Sequence, residues 1–228
     1  MSRLALALLA VLLTLTACGR PLTPNEAAFA ATLKGRSFDP TTARLHEGLA
    51  TGTPREIPVR PRLTCQERIF PPPRDATVRV ATGAMAIFQD VHVRRDLYTD
   101  DFLAGWPDSL YLPDAMLFAH EMVHVWQWQS RERTGYHPLR AAVEHLYSPD
   151  PYLFDPDTTR QFLDFGYEQQ GAIMEEYVCC RALAPDAART ARLHAMLAQV
   201  FDLPPPDRPL ASDIYLPWRD VQIAGICD

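Results

Sequence analysis

The sequence predicts an α+β domain that is mostly helical and contains a small β-sheet. A strongly apolar helix follows Pro113, a strand-like alternation occupies Thr77–Ala81, and several helical patterns fill the second half of the chain. Twenty-one prolines among 228 residues indicate long ordered loops rather than a bundle of long helices. The roughly 210 residues that follow Cys18 suffice for one compact domain with its own core.

The first helix is predicted from its start signal. Thr23 provides a cap, Pro24 suits the first turn, and Glu26 stands three residues after the cap. The helix should continue to Lys34 and end at Gly35. Residues 36–75, rich in proline, threonine and arginine, are predicted to form loops with one short strand around Ile57–Val59.

The β-sheet is predicted around Thr77–Ala81, where apolar and polar residues alternate. Ala86–Phe88 and Val91–Val93 could pair with this strand across Thr82-Gly83. The apolar helix is then expected from about Asp114 to Arg131. Apolar residues cover most of its circumference, which indicates that the helix is buried.

The remaining elements are mostly helical. The proline-rich tail that starts at Leu203 is expected to follow the surface as irregular chain. Further helices are predicted at Pro138–Tyr147, near Thr158–Asp164, at Tyr167–Leu183 and at Pro185–Phe201.

The N-terminus predicts a lipoprotein signal peptide at residues 1–17. A basic residue precedes a short apolar run, and Leu15-Thr16-Ala17-Cys18 resembles the bacterial lipobox, in which the cysteine is lipidated. Two or three acyl chains on Cys18 would hold the protein stably at a membrane. Gly19, where a retention aspartate would otherwise stand, favours the periplasmic face of the outer membrane. The alternative is an ordinary cleaved signal with an accidental cysteine.

Charge and cysteines narrow the choice of partners and compartment. A net charge of −6 without a basic cluster argues against nucleic acid as a partner. Four cysteines follow the anchor, and an even number in an oxidising periplasm favours disulfides. Because Cys179 and Cys180 are adjacent, each should reach a distant partner, Cys65 or Cys227, and the sequence leaves the pairing open. A tetrathiolate zinc site is the alternative, although no CxxC pair is present.

The strongest chemical signal is His120-Glu121-Met122-Val123-His124 in the apolar helix. Two histidines four residues apart point the same way from a helix and can bind one ion. This HExxH pattern predicts two zinc ligands, with Glu121 as the general base for a zinc-bound water. An ionised carboxylate in so apolar a helix is costly unless it has a partner, which argues against a merely structural helix.

The third ligand must come from another segment, because Gln127 and Ser130 replace the glycine and histidine of the metzincin extension. The helix at Tyr167–Leu183 offers Glu168, Glu175 and Glu176. Glu168 is the predicted ligand and Glu175 the alternative. Gly171 follows one turn after Glu168 and would let the histidine helix approach closely. Glu175 or Glu176 would then accept the second ring N–H of a zinc-binding histidine.

A donor for the oxyanion of the transition state is also expected. Four side chains are candidates, and the sequence does not choose among them: Tyr152, Tyr167, Tyr177 and His145. The other histidines are interpreted as ordinary surface residues: His46, His92, His137 and His194.

Two segments resemble a known group of proteins. The segments are HEMVHVWQ at His120–Gln127 and YEQQGAI at Tyr167–Ile173. Both resemble a group of bacterial HExxHVWQ…EQQ zinc peptidases. Many members of this group are encoded near Rhs or Vgr-type secretion genes. The resemblance spans roughly residues 22–180. It implies a minimal gluzincin core in a zincin-like domain, with one zinc on His120, His124 and Glu168. The lipobox, Glu176 in place of a common aspartate, and the proline-rich tail depart from the group.

The predicted function is therefore a membrane-anchored zinc metallohydrolase, in particular a peptidase, that acts on a peptide or protein substrate. Residues 18–228 would form its single domain. Two alternatives remain: a scaffold or binding lipoprotein that holds zinc without turnover, and a zinc amidase that acts on a cell-wall component.

Overall fold

The computed structural model describes residues 19–49, 54–148, 150–206 and 209–228, and has an α+β architecture. The predicted signal peptide (1–17) and Cys18 lie outside the described residues. The α-helices are α1 (Pro24–Lys34), α2 (Cys65–Arg68), α3 (Leu112–Gln129), α4 (Arg131–Thr134), α5 (Pro138–Tyr147), α6 (Tyr167–Leu183) and α7 (Ala188–Leu197). The strands are β1 (Arg20–Pro21), β2 (Arg44–Glu47), β3 (Arg55–Pro58), β4 (Thr77–Val80), β5 (Ala84–Ile87), β6 (Asp90–Val93), β7 (Ser109–Tyr111) and β8 (Asp213–Tyr215).

The largest sheet packs one face against α3, the helix that carries the HExxH residues. Its strand order is β1-β2-β6-β5, with β2 parallel to β6 and the other pairs antiparallel. Leu45, Ala86, Val91 and Val93 are buried on the inner face, as alternation along a half-buried strand requires. Strand β5 forms one edge of this sheet and lies beside α3.

The predicted strands are present, but the predicted pairing was wrong. Strand β4 pairs with β3, in the register that places Ile57 opposite Val78, and does not pair with β5 or β6. Strands β5 and β6 instead form their own hairpin across Phe88 and Gln89, where Phe88 adopts a φ of 60°. Alternation of residue types determines which face of a strand is buried, and it carries no information about the partner strand.

The helices at the two motifs match the prediction. Helices α5 and α6 have the predicted bounds, and α3 begins at Leu112, two residues before the expected start, and ends at Gln129. Helix α1 has the predicted capping box of Thr23 and Glu26. Within the described ranges, none of the helices is long and apolar enough to cross a bilayer.

Other segments differ from the expectation. The helix expected near Thr158–Asp164 is a single 3-10 turn at Phe162–Asp164, and α7 covers only the middle of the predicted Pro185–Phe201 helix. The segment 36–75 contains β2 and α2 in addition to the expected short strand. The tail includes β8, which pairs in parallel with β7. Two- to four-residue elements such as these depend on tertiary contacts, which local sequence patterns do not record.

Two disulfides attach α6 to distant parts of the chain. Cys65 bonds Cys179, and Cys180 bonds Cys227. Neighbouring residues on a helix point about 100° apart, so the two sulfurs bond different segments, α2 and the C-terminal segment, and the Sγ atoms of Cys65, Cys180 and Cys227 lie within 4.8 Å of one another. The prediction of two disulfides to distant partners is confirmed. The alternative of a tetrathiolate site was wrong, because all four sulfurs are in disulfides.

Lys34, the only lysine in the sequence, is fully buried at the end of α1. Its Nζ lies 3.5 Å from the Ala119 carbonyl oxygen of α3 and 5.8 Å from the ring centres of Phe38 and Phe201. Among the described residues, no carboxylate forms an ion pair with it. Burial without a counter-ion disfavours the ammonium form and lowers the pKa of Lys34 to about 7.

Candidate metal centre

The two histidines of the HExxH motif project from the buried α3 toward the same point. The Nε2 atoms of His120 and His124 are 3.1 Å apart, and both residues are about 5 % exposed or less. Two ring nitrogens at this separation cannot both carry a proton without repulsion, so the pair is suited to share one cation.

Glu168 on α6 completes a three-residue cluster. Its Oε2 lies 3.3 Å from the Nε2 atoms of His120 and His124, and the ligand atoms of all three residues lie within 4.8 Å of one another. The structure thus brings the predicted ligands together. Glu175, the alternative ligand, lies on the far side of His120, with Oε1 3.2 Å from Nδ1. That is the position expected of a carboxylate that orients the ring.

Glu176 takes no part in this cluster. Its carboxylate is fully buried, 3.2 Å from the Arg189 guanidinium, and accepts the backbone N–H groups of Cys65 and Gln66. It holds α2 and α7 against α6. Of the two acids proposed to orient a ring, only Glu175 contacts a histidine of the cluster.

Gly171 lets α6 approach α3 at His120. A Cβ atom on Gly171 would lie 2.5 to 2.7 Å from three atoms of the His120 ring, closer than real Cβ contacts allow. The predicted role of this glycine is confirmed, and the group that needs the space is the ring of the histidine itself.

Gly171→Ala is therefore expected to weaken metal binding by about 10- to 100-fold, the range seen when a group that orients a ligand is lost. The new methyl group must displace the His120 ring. Alanine favours an interior helix position over glycine by roughly 1 kcal/mol, so general helix destabilisation would not explain a loss. Metal affinity by chelator competition tests this, with urea unfolding of the metal-free chain as the control. Unchanged affinity would contradict the close packing of Gly171 on His120.

The charges of the cluster favour a bound cation. Burial alone would raise the pKa of Glu168, but the neighbouring His124, His120 and His145 outweigh it and hold that pKa well below its usual value. Burial likewise would lower the pKa of His120, yet Glu175 and Glu168 raise it well above the usual value. The carboxylates thus stabilise positive charge at the ring nitrogens, and a bound metal ion would replace the protons there.

Glu121 lies beside the three ligands and has an oxygen without a partner. It is 5 % exposed, and within the described part of the chain its Oε2 accepts no hydrogen bond. Burial raises the pKa of this carboxyl, against the opposing influence of His120 and His124. An unpaired buried oxygen is costly, and together with the two imidazoles and the carboxylate of Glu168 it fits a metal centre that also holds a water.

A cavity of about 960 Å³ opens onto the cluster. Strand β5 lines one wall and α5 lines the other. Two of the four candidate oxyanion donors, Tyr152 and His145, line this cavity. The other two do not: the Tyr167 hydroxyl donates to the Gly135 carbonyl at 3.0 Å, and Tyr177 is fully buried in the core.

The remaining histidines are distributed as follows. His46 and His92 stack on each other in the sheet, and His194 lies on α7, all outside the cavity lining. His137, which was predicted to be an ordinary surface residue, lines the cavity and accepts the Leu139 N–H at the start of α5.

Helix α5 fixes the position of Glu168. The Nε2 of His145 is 3.0 Å from Glu168 Oε1. Glu144 accepts the backbone N–H groups of Tyr167 and Glu168, at 2.9 and 3.2 Å, and so caps the first turn of α6. Oε1 of Glu168 is thereby held on α5, while Oε2 faces the two histidines of α3.

Two residues at the site were missed from the sequence. The Tyr136 ring stacks on His124 with centroids 6.2 Å apart, and Oε1 of Gln127 lies 2.8 Å from His124 Nδ1. Gln127 stands three residues after His124, on the same helix face, and this spacing was the available signal. Tyr136 follows the end of α4, and no spacing rule connects it to the motif.

Comparison with known proteins adds one structural likeness. No protein-family model and no curated protein match the chain. A solved structure, the effector domain of Pseudomonas aeruginosa VgrG2b, aligns with a TM-score of 0.49 and 24 % sequence identity. The alignment covers 81 % of this chain and 85 % of that one. At this TM-score and identity, we draw no functional conclusion from the likeness.

Proposed function

We propose that this protein is a zinc metallopeptidase in which His120, His124 and Glu168 bind the metal and Glu121 is the general base. One observation carries the proposal: three buried ligand atoms lie within 4.8 Å of one another beside an unpaired Glu121 oxygen at the cavity. Two imidazoles and one carboxylate form the ligand set of several catalytic zinc sites, which keep a fourth position open. A purely structural site would have no use for a carboxylate like that of Glu121.

Each side chain at the site has a separate role in the proposed hydrolysis. Zinc held by His120, His124 and Glu168 would supply a water of lowered pKa and would polarise a carbonyl group. Glu121 would accept the proton of the attacking water at Oε2 and pass it to the leaving amine. Tyr152, which lines the same cavity, would donate a hydrogen bond to the developing oxyanion. The Nε2 atom of His145 is already engaged with Glu168 Oε1 at 3.0 Å. Gln127 Oε1 lies 2.8 Å from Nδ1 of His124, and Glu175 Oε1 lies 3.2 Å from Nδ1 of His120, behind the two proposed ligands.

The cavity supports a polypeptide substrate over a small amide. A second groove of about 1500 Å³ adjoins the first, and Val80, Ala81 and Tyr152 line both. Either part alone is as large as a typical small-molecule site. A chain that extends on both sides of the cleaved bond would occupy both parts.

The proposed location is the periplasmic face of a bacterial outer membrane, through lipidated Cys18. The lipobox is the basis of this proposal, and the two disulfides support it because such bonds persist in oxidising compartments. Mass spectrometry of the mature N-terminal peptide would test it. An unmodified Cys18, or a chain cleaved elsewhere, would contradict the anchor without affecting the metal site.

The test of function measures zinc and hydrolysis together on the full chain. Purified protein is expected to contain about one zinc and to cleave unfolded casein, with both lost on chelation and restored by added zinc. His120→Ala and Glu168→Ala should lose the metal. The matched control His194→Ala, a histidine of α7 outside the cavity, should keep it.

Three outcomes would revise the proposal. Full zinc retention by Glu168→Ala would remove Glu168 from the proposed ligand set. One zinc per chain without hydrolysis of any polypeptide would favour a scaffold. Hydrolysis that survives complete removal of metal would contradict the proposed chemistry.

A further inference from the structure

A chain of buried side-chain amides runs from His124 into α6. His124 Nδ1 lies 2.8 Å from Gln127 Oε1, and Gln127 Nε2 donates to Gln170 Oε1 at 3.0 Å. Gln170 Nε2 in turn donates to the Phe165 carbonyl oxygen at 2.9 Å. Gln127 is fully buried and Gln170 is 2 % exposed, so solvent cannot substitute for a missing partner.

Backbone carbonyl groups fix which atom of each amide donates and which accepts. A side-chain amide can be turned over, which exchanges its donor and its acceptor. Turning Gln170 over would place its carbonyl against the Phe165 carbonyl, and turning Gln127 over would do the same against the Tyr167 carbonyl, which Gln127 Nε2 also reaches at 3.1 Å. Two backbone acceptors therefore require both amides to present their oxygens toward His124.

The consequence is a single tautomer of His124. Because Gln127 offers an acceptor, Nδ1 of His124 must carry a hydrogen, and in the neutral ring Nε2 then keeps its lone pair. That Nε2 atom faces His120 and Glu168. We propose that Gln127 and Gln170 are positioning residues that fix His124 as the Nδ1–H tautomer, so that its Nε2 is ready for the metal. The inference rests on the proposed zinc site.

The two histidines differ in what orients them. His120 Nδ1 lies 3.2 Å from Glu175 Oε1, without the alignment of a hydrogen bond. A carboxylate accepts through either oxygen, so turning it over would not exchange a donor for an acceptor. His124 instead faces the amide of Gln127, which would offer a donor if it were turned over. The Gln170 amide and the carbonyl groups of Tyr167 and Phe165 prevent that exchange. This difference gives a role to the buried Gln170 of α6, which contacts Gln127 and does not itself contact the cluster.

The test compares three isosteric variants of the full chain: Gln127→Met, Gln170→Met and Gln129→Met. Gln127→Met should weaken zinc binding by about 10- to 100-fold, measured by chelator competition. Gln170→Met should cause a smaller loss, because the Tyr167 carbonyl still constrains Gln127. Gln129→Met is the matched control on the same helix: its amide bonds Asp39 and Thr42, away from the cluster, and zinc affinity should stay unchanged.

A second measurement separates orientation from stability. In the ¹H–¹⁵N spectrum of histidine-labelled, zinc-loaded chain, His124 should show a slowly exchanging Nδ1–H signal that is lost or exchanges fast in Gln127→Met. Equal losses of affinity in Gln127→Met and Gln129→Met, or an unchanged Nδ1–H signal in Gln127→Met, would overturn the proposal. If wild-type chain binds no zinc, the metal site has failed instead. The metal-free spectrum then decides the orientation, and a His124 without an Nδ1–H signal would refute it.

Discussion

Glu121→Gln is expected to lower kcat for an unfolded protein substrate by about 10²- to 10⁴-fold while the zinc content stays at one per chain. The amide has nearly the same shape as the carboxylate, so packing in the cavity should be retained. It cannot accept the proton of the attacking water. Because Glu121 is not among the three clustered ligand residues, metal binding should be largely unaffected.

The control for this experiment is Glu132→Gln, a change of the same chemistry on the exposed α4. Its kcat should match that of wild type. Loss of zinc from Glu121→Gln would show that Glu121 is a ligand rather than a base. Equal activity of wild type and Glu121→Gln on every substrate would remove the catalytic role and leave a zinc-binding scaffold.

Lys34→Met is expected to stabilise the fold by several kcal/mol at pH 6, an effect that should shrink as the pH approaches 10. The folded chain holds Lys34 with a pKa of about 7, whereas the unfolded chain has the ordinary value of 10.5. Between these values the unfolded chain binds the extra proton, so the stability of wild type rises with pH through this window. Below pH 7 the full cost applies, about 5 kcal/mol at roughly 1.4 kcal/mol per pH unit.

Urea unfolding of wild type and Lys34→Met at pH 6, 8 and 10 measures this difference. Because the chain has a single lysine, NMR of ¹³C-labelled lysine reports the pKa of Lys34 without assignment. Arg36→Gln is the control, since its side chain is 94 % exposed and its removal should change stability by less than about 0.5 kcal/mol. A Lys34 that titrates near 10.5 would contradict its burial without a counter-ion among the described residues.

The grouping of His120, His124 and Glu168 could be predicted from the sequence because the spacing of the motif follows helix geometry. His120, Glu121 and His124 lie on one regular helix, where four residues return to the same face. The distant Glu168 was predicted because Gly171 marks a close helix contact one turn later, and the resemblance to zinc peptidases pointed to the same residue. Both signals are local to a single helix.

What could not be predicted depends on contacts between elements. The partner of β4 is β3 rather than β5, and alternation within a strand does not encode this choice. The amide chain from His124 to Phe165 was missed because it joins α3 to the start of α6 in three dimensions. Lys34 was placed correctly in α1. Its burial without a counter-ion, as seen in the described part of the chain, follows only from the packing of α1 on α3.

The two disulfides give the covalent chain a figure-of-eight topology. One ring closes residues 65 to 179, the other closes residues 180 to 227, and the peptide bond between Cys179 and Cys180 joins the rings. His120, His124 and Glu168 all belong to the first ring. A single proteolytic cut inside either ring leaves the two fragments bonded, and only a reductant would release them. A nicked molecule therefore keeps all three proposed metal ligands on one covalent framework.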